Sequence, residues 1–179
     1  MASDRPVRFE IHIRQIVRLL ERDNMLFKFD LWNYDQVKAH ADKILSRIGG
    51  DRSMPPAEYG GPWPLEWVAL FQRWKDEGFG RLDLGTADLS LLKATRTGNL
   101  VKITAKGQVP SPGYVAWLDA AIPESGKREY TLYWEPPAVA EAPSPTPFDV
   151  DARFKDGTGM TQIIVQDSAG PHTVAIQGS

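Results

Sequence analysis

The segment Val101-Lys102-Ile103-Thr104-Ala105 alternates apolar and polar side chains, and Phe148-Asp149-Val150-Asp151-Ala152-Arg153-Phe154 repeats the pattern downstream. A period of two puts successive side chains on opposite faces of an extended strand, so each segment reads as a half-buried strand. Working outward, candidate strands fall at 89–95, 99–107, 114–121, 129–134, 147–154, 161–167 and 172–177. Turn formers separate them: Pro110-Ser111-Pro112-Gly113, Ser125-Gly126, Asp156-Gly157 and Ala169-Gly170-Pro171. Short strands at regular spacing predict an antiparallel β-sandwich of about seven strands, Ig-like, over 89–179. The proline-rich stretch Pro136–Pro147 cannot donate ladder hydrogen bonds at its prolines and reads as an extended crossing between sheets.

Upstream the period is helical. Val37, Ala41, Ile44, Leu45 and Ile48 form one stripe, with Asn33 as N-cap, Gln36 placed to close a capping box, and Gly49-Gly50 as the stop. A second helix starts with Pro64 in its first position, carries Trp67, Leu70, Phe71 and Trp74, and ends at Gly78. Ile13–Leu20 reads as a shorter helix, and Asp23 as the cap of a turn running from Met25 to Phe29. The expectation is an α+β chain: a small helical domain over 1–80, then the sandwich.

Composition narrows the function classes. Of 179 residues, 42% are hydrophobic and 25% charged, with a net charge of −2, which suits a packed globular protein. Neither half carries the basic surplus that would draw nucleic acid or an anionic membrane surface. Without cysteine there are no disulfides, thiol nucleophiles, iron–sulfur clusters or thioether-linked haem. The polar start Met1-Ala2-Ser3-Asp4 and the lack of a long apolar run predict a cytoplasmic protein without a membrane span.

Several short matches in the helical half share an order and a spacing. They are Ile16-Val17-Arg18-Leu19, Asp30-Leu31-Trp32-Asn33-Tyr34, Ser53-Met54-Pro55-Pro56 and Ala69-Leu70-Phe71-Gln72-Arg73-Trp74 before Gly78. In these, 16–78 resembles the haem domain of small bacterial cytochromes c. The resemblance implies an axial-ligand position at Met54. Where that family has Cys-x-x-Cys-His, this chain reads Glu21-Arg22-Asp23-Asn24-Met25-Leu26, so a haem-free domain with no cofactor is expected. Met25, Phe27, Phe29, Trp32, Trp67, Phe71 and Trp74 are then expected to fill the vacated centre. Gly107-Gln108-Val109-Pro110-Ser111-Pro112-Gly113-Tyr114 resembles small bacterial β-sandwich domains of unknown function.

Candidate chemistry is sparse. His40 lies at the edge of the middle helix's apolar stripe, where it is a weak candidate for a general base and otherwise a packed histidine. His12 reads as a surface residue and His172 as strand-entry packing. No histidine spacing marks a metal site, and Asp149 with Asp151 reads as a solvated strand face. Ser111 and Ser125 lack the context of a nucleophile elbow. Aromatic residues remain: Trp63, Tyr59, Tyr133 and Trp134 are candidates for a ligand or partner surface, or else for cement between the halves. The reading is a nonenzymatic binding or accessory protein presenting an aromatic surface or inter-domain cleft to a protein partner or a small apolar or aromatic ligand. Two alternatives stand beside it. One is a small enzyme pairing His40 with carboxylates between the halves; the other is a noncovalent haem protein using Met54 with His40. Oligomeric state is not legible.

Overall fold

Hydrogen bonding and burial divide the chain differently at its two ends of sequence. The computed structural model describes residues 5–121 and 127–178, and the chain splits into two compact units, Met1–Leu82 and Asp83–Ser179. The polar start at Met1–Asp4 and the Ser125-Gly126 turn lie outside the described residues.

The first unit is helical. A π-helical turn, Phe9–Ile13, runs into α1 (Arg14–Ile16), and the chain then breaks to an extended Val17 and Arg18 before α2 (Leu19–Met25). The continuous helix expected over Ile13–Leu20 is therefore two short pieces. Asp23 sits inside α2 and caps nothing; the Arg18 N–H instead donates to Glu21 Oε2 at 2.9 Å, which satisfies a backbone donor at the start of α2.

Asn33 is the N-cap as expected, its Oδ1 accepting from Gln36 N–H at 3.1 Å. The reciprocal half of the box is absent, because Gln36 Oε1 accepts from Asp30 N–H instead. The expected single helix bends at His40 into α3 (Tyr34–Ala39) and α4 (Ala41–Leu45), and a π-helical turn, Ser46–Gly50, follows. A 3₁₀ turn, Ala57–Tyr59, precedes α5 (Leu65–Asp76), which begins one residue later than expected, with Pro64 extended at its N-cap. Gly78 ends this region at φ +86, a conformation that glycine adopts without steric cost.

The core of this unit gathers Val7, Phe9, Ile13, Val37, Ala41, Ile48, Phe71 and Trp74. Trp74 is completely buried, meets the rings of Phe9, Phe71 and Phe79, and donates Nε1–H to Gly80 O at 2.7 Å. Buried Glu10 ties the ends of the unit together by accepting from Leu82 N–H at 2.8 Å, with Arg81 Nε 3.3 Å from its other oxygen.

The second unit is a sheet of eight described strands: β1 (Asp83–Leu84), β2 (Lys93–Thr97), β3 (Leu100–Val109), β4 (Val115–Ala120), β5 (Glu129–Glu135), β6 (Thr146–Lys155), β7 (Gln162–Asp167) and β8 (Gly170–Gly178). Their hydrogen-bonded path runs β1-β5-β7-β8-β2-β3-β6, with β4 also paired to β5. The antiparallel Ig-like sandwich of about seven strands is corrected on two points. The strands form one connected, open and curled sheet, and two of its pairings, β2 with β8 and β5 with β7, are parallel. Alternation specifies which face a residue occupies and leaves the neighbouring strand and its direction open.

The alternation itself holds. Val101, Ile103 and Ala105 are fully buried and pair with Phe154, Ala152 and Val150 of β6. Ile163, Val165, Val174 and Tyr130 complete that core. Asp149 and Asp151 point to the exposed face, where Lys106 and Lys102 are their ion-pair partners across the strands. The stretch after β5 carries the chain to the far edge strand β6, and on the way Ser144 N–H donates to Pro110 O.

Two turns in this unit are organised by buried carboxylates. Asp156 accepts from the Thr158 hydroxyl and N–H, from Met160 N–H and from Arg96, and these bonds hold its carboxyl far below the usual carboxylate range. Burial works against ionisation of Asp167, but bonds from Ala87 N–H, His172 and Ala169 N–H outweigh it and lower its pKa.

Two outcomes follow from this packing. Trp74→Ala should cost about 3–5 kcal/mol in denaturant melts, since a full ring and a hydrogen bond are lost from a closed core; a loss under about 1 kcal/mol would mean the helix face is not buried. The depressed carboxyls of Asp156 and Asp167 contribute stability that is complete above the unfolded pKa of about 3.9 and is lost as pH falls toward their folded values. Melts at about pH 3 should therefore show lower stability than at about pH 6, and Asp156→Asn should flatten that dependence; an unchanged slope would remove Asp156 from the account.

Candidate functional site

The first unit holds a cavity of about 1230 Å³, larger than the roughly 300–1,000 Å³ that suffices for a drug-sized ligand. Its walls come from the end of α2 and the turn after it, from α4 and the π-helical turn, and from the loop 53–63. Apolar groups dominate: Met25, Phe27, Phe29, Ile44, Met54, Tyr59 and Trp63 all line it.

A buried carboxylate builds one wall. Glu21 is only 6% exposed, and its Oε1 accepts from Arg18 Nε at 2.9 Å and from Trp63 Nε1–H at 3.1 Å. Arg18 also donates to Gly60 O at 2.9 Å, so one guanidinium joins α2 to the loop that carries Tyr59. That loop folds back on itself closely: a Cβ at Gly61 would lie 1.6 Å from Pro55 O, and only glycine fits. Trp63 packs edge-on against Trp67, with ring centroids 5.8 Å apart.

A second clamp sets the opposite end of the α2 turn. Arg22 makes two bonds to Asp30, at 2.6 and 2.7 Å, and covers the Trp32 ring. The Arg22 bond, reinforced by Trp32 N–H, holds the Asp30 carboxyl below its ordinary range. Trp32 in turn donates Nε1–H to Val17 O. The residues between these anchors, 25–29, project as a short turn with Phe27 78% exposed.

His40 lines the same cavity, stacked on Phe29 with centroids 4.3 Å apart and planes at 6°. Its Nδ1 is 2.9 Å from Gln36 O, an atom that can only accept, so Nδ1 carries the proton. In the neutral ring Nε2 then presents a lone pair. No carboxylate bonds to this ring among the described contacts. The two acidic groups in the wall are engaged elsewhere: Glu21 as above, and Asp51 with Arg47 at 2.8 Å and Ser53 N–H at 2.9 Å. Hydrogen bonding from Ser53, above all, lowers the Asp51 pKa.

The sequence candidates separate into two groups. Trp63, Tyr59, His40 and Met54 share the cavity of the first unit. Tyr133 and Trp134 lie on β5 of the second. Tyr133 is 8% exposed and faces Trp117 of β4, while half-buried Trp134 meets Tyr114. The expected fillers also divide: Trp74 and Phe71 are core, whereas Met25, Phe27 and Phe29 line open space. His12 accepts from Arg8 N–H, and His172 Nε2 lies 2.8 Å from buried Asp167. Glu21, Arg18 and Asp167 were missed as structural polar groups; Glu21 follows Arg18 at the spacing of a helix-start pair, the one signal available.

Among the described residues, no group of three acidic, histidine or cysteine side chains is placed to hold a metal ion. No helix there is long and apolar enough to cross a membrane. Comparison with family models, with curated proteins and with solved structures gave no match.

Glu21→Ala should remove the acceptor that Arg18 Nε and Trp63 Nε1–H share and cost about 2–4 kcal/mol in urea melts. A cost near zero would show that the loop 53–63 is held without this carboxylate.

Proposed function

We propose that this chain is a nonenzymatic binding protein whose helical unit holds a small, largely apolar or aromatic ligand. The observation that carries the reading is the 1230 Å³ cavity walled by two thioethers and four aromatic rings. Unbranched, polarizable methionine adapts to irregular ligands, and rings supply large contact area at low conformational cost. Phe27 is exposed at the cavity wall, and Leu19, Leu20 and Leu26, exposed outside that wall, add apolar surface that suits a protein partner. Glu21 and Asp51 are both bonded to other groups, so neither wall carboxylate is placed to pair with His40, which weighs against an acid–base site built on that pair.

A second reading draws on one specific contact. His40 donates Nδ1–H to a backbone carbonyl, the arrangement that leaves Nε2 free as a ligand atom, and Met54 lines the same cavity. These residues fit the noncovalent haem that the resemblance to cytochromes c would suggest; bound there, the group would supply one-electron chemistry. The haem-free reading is preferred because the thioether cysteines and their adjoining histidine are all replaced.

Equilibrium titration with the neutral fluorescent probe N-phenyl-1-naphthylamine tests the first reading. Saturable binding is expected, weakened about threefold or more in Tyr59→Ala or Met54→Ala and unchanged in Trp134→Ala. Failure of the folded protein to bind the probe would overturn it. The purified protein should be colourless, and a strong absorption band at the blue edge of the visible would favour the haem reading.

A further inference from the structure

The cavity carries charge as well as apolar surface, and its charges are unevenly partnered. Six ionisable side chains other than tyrosine line it: Glu21, Lys28, His40, Lys43, Arg47 and Asp51. Glu21 is neutralised by Arg18, with a guanidinium nitrogen 2.7 Å away, and Arg47 by Asp51 at 2.8 Å. Lys28 and Lys43 are left. Both are exposed at the wall, and neither has a carboxylate partner within ion-pair distance among the described residues. Lys28 rests its ammonium over the Phe27 ring, 5.4 Å from the centroid, which keeps the charge beside the apolar wall. His40 is no competitor for an anion in its neutral form, because its only N–H is already donated to Gln36 O.

From this we infer that the ligand of the cavity is an amphipathic anion: an extended apolar body lying against Met25, Phe29, Met54 and Tyr59, with a carboxylate head paired to Lys28 and Lys43. The inference rests on the binding reading above and adds the chemical class. An apolar body gains about 0.8 kcal/mol per methylene removed from water, which supplies most of the affinity. A carboxylate then selects among apolar ligands, since a cation would meet two like charges and an uncharged head would gain no ion pair from either ammonium group. The pairing is close to solvent, so its worth is modest and salt-sensitive.

Displacement of N-phenyl-1-naphthylamine by three twelve-carbon probes separates the possibilities. Dodecanoate should displace it about five- to tenfold more effectively than dodecanol, and dodecylamine should be the weakest. Raising ionic strength from about 0.01 to about 1 M, where the Debye length falls from about 30 to about 3 Å, should erase the difference between dodecanoate and dodecanol. Lys28→Glu with Lys43→Glu, both exposed positions and checked for retained helicity, should reverse the order of dodecanoate and dodecylamine. If the neutral probe binds but dodecanoate does no better than dodecanol, or the double variant keeps its preference, the anion inference is overturned and the cavity reading stands. If neither the neutral probe nor any twelve-carbon compound binds, both fail together.

Discussion

A carboxylate taken out of water has to be repaid in hydrogen bonds, and Glu21 meets that demand in a way that organises its whole unit. Its two oxygens collect the Arg18 N–H, the Arg18 guanidinium and the Trp63 indole. Each donor belongs to a different part of the wall: the break before α2, a side chain that reaches on to Gly60, and the residue leading into α5. The loop 53–63 has little regular structure of its own, and its position follows from being bonded at Gly60 and Trp63 and folded tightly at Gly61. The Arg22–Asp30 pair does the same for the turn after α2. Polar anchoring at two points keeps apolar side chains apart across an opening that hydrophobic packing alone would close.

How much of this was readable beforehand depends on what kind of information a residue carries. Most strand positions came through closely because alternation is a local property, which β6 shows without interruption and β3 as far as Lys106; the strand expected at 89–95 begins instead at Lys93, after a turn at 89–91. Strand partners did not come through. Placing β8 between β2 and β7 brings together 93–97, 162–167 and 170–178, and nothing in the side-chain order of β8 distinguishes a parallel neighbour from an antiparallel one. The two-residue β1 is too short to show a period at all. In the helical unit the Asn33 cap was legible from residue type, whereas the bend at His40, where φ is −108 and ψ is 9, leaves the period of the apolar stripe unbroken and so was not.

The site shows the same limit from another side. Aromatic and thioether residues announce a tendency to leave water, and Trp74 and Phe27 announce it equally. One is sealed in the core and the other stands 78% exposed beside a cavity, because the anchors around 21 and 30 decide which rings can collapse inward. Tyr59, Trp63, Met54 and His40 could be singled out one by one from the sequence. That they face a common space required the loop to be placed, and the loop is placed by a glutamate that reads in sequence as one more surface charge.

The position of β8 in the sheet carries a consequence for how the protein is made. The last strand in chain order sits in the interior of the hydrogen-bonded path, flanked by β7 and β2. During synthesis, β2, β3 and β6 can pair as they emerge from the ribosome, and so can β4 with β5, but the two groups have no strand to join them until 170–178 has been translated. Through that interval the edges of β2 and β5 that β8 and β7 later cover are open to other nascent chains, a hazard that the unit meets once per round of translation. The helical unit draws its buried core from Val7 to Trp74, so that core has no such dependence on late sequence and can form while the sheet is still waiting for its keystone.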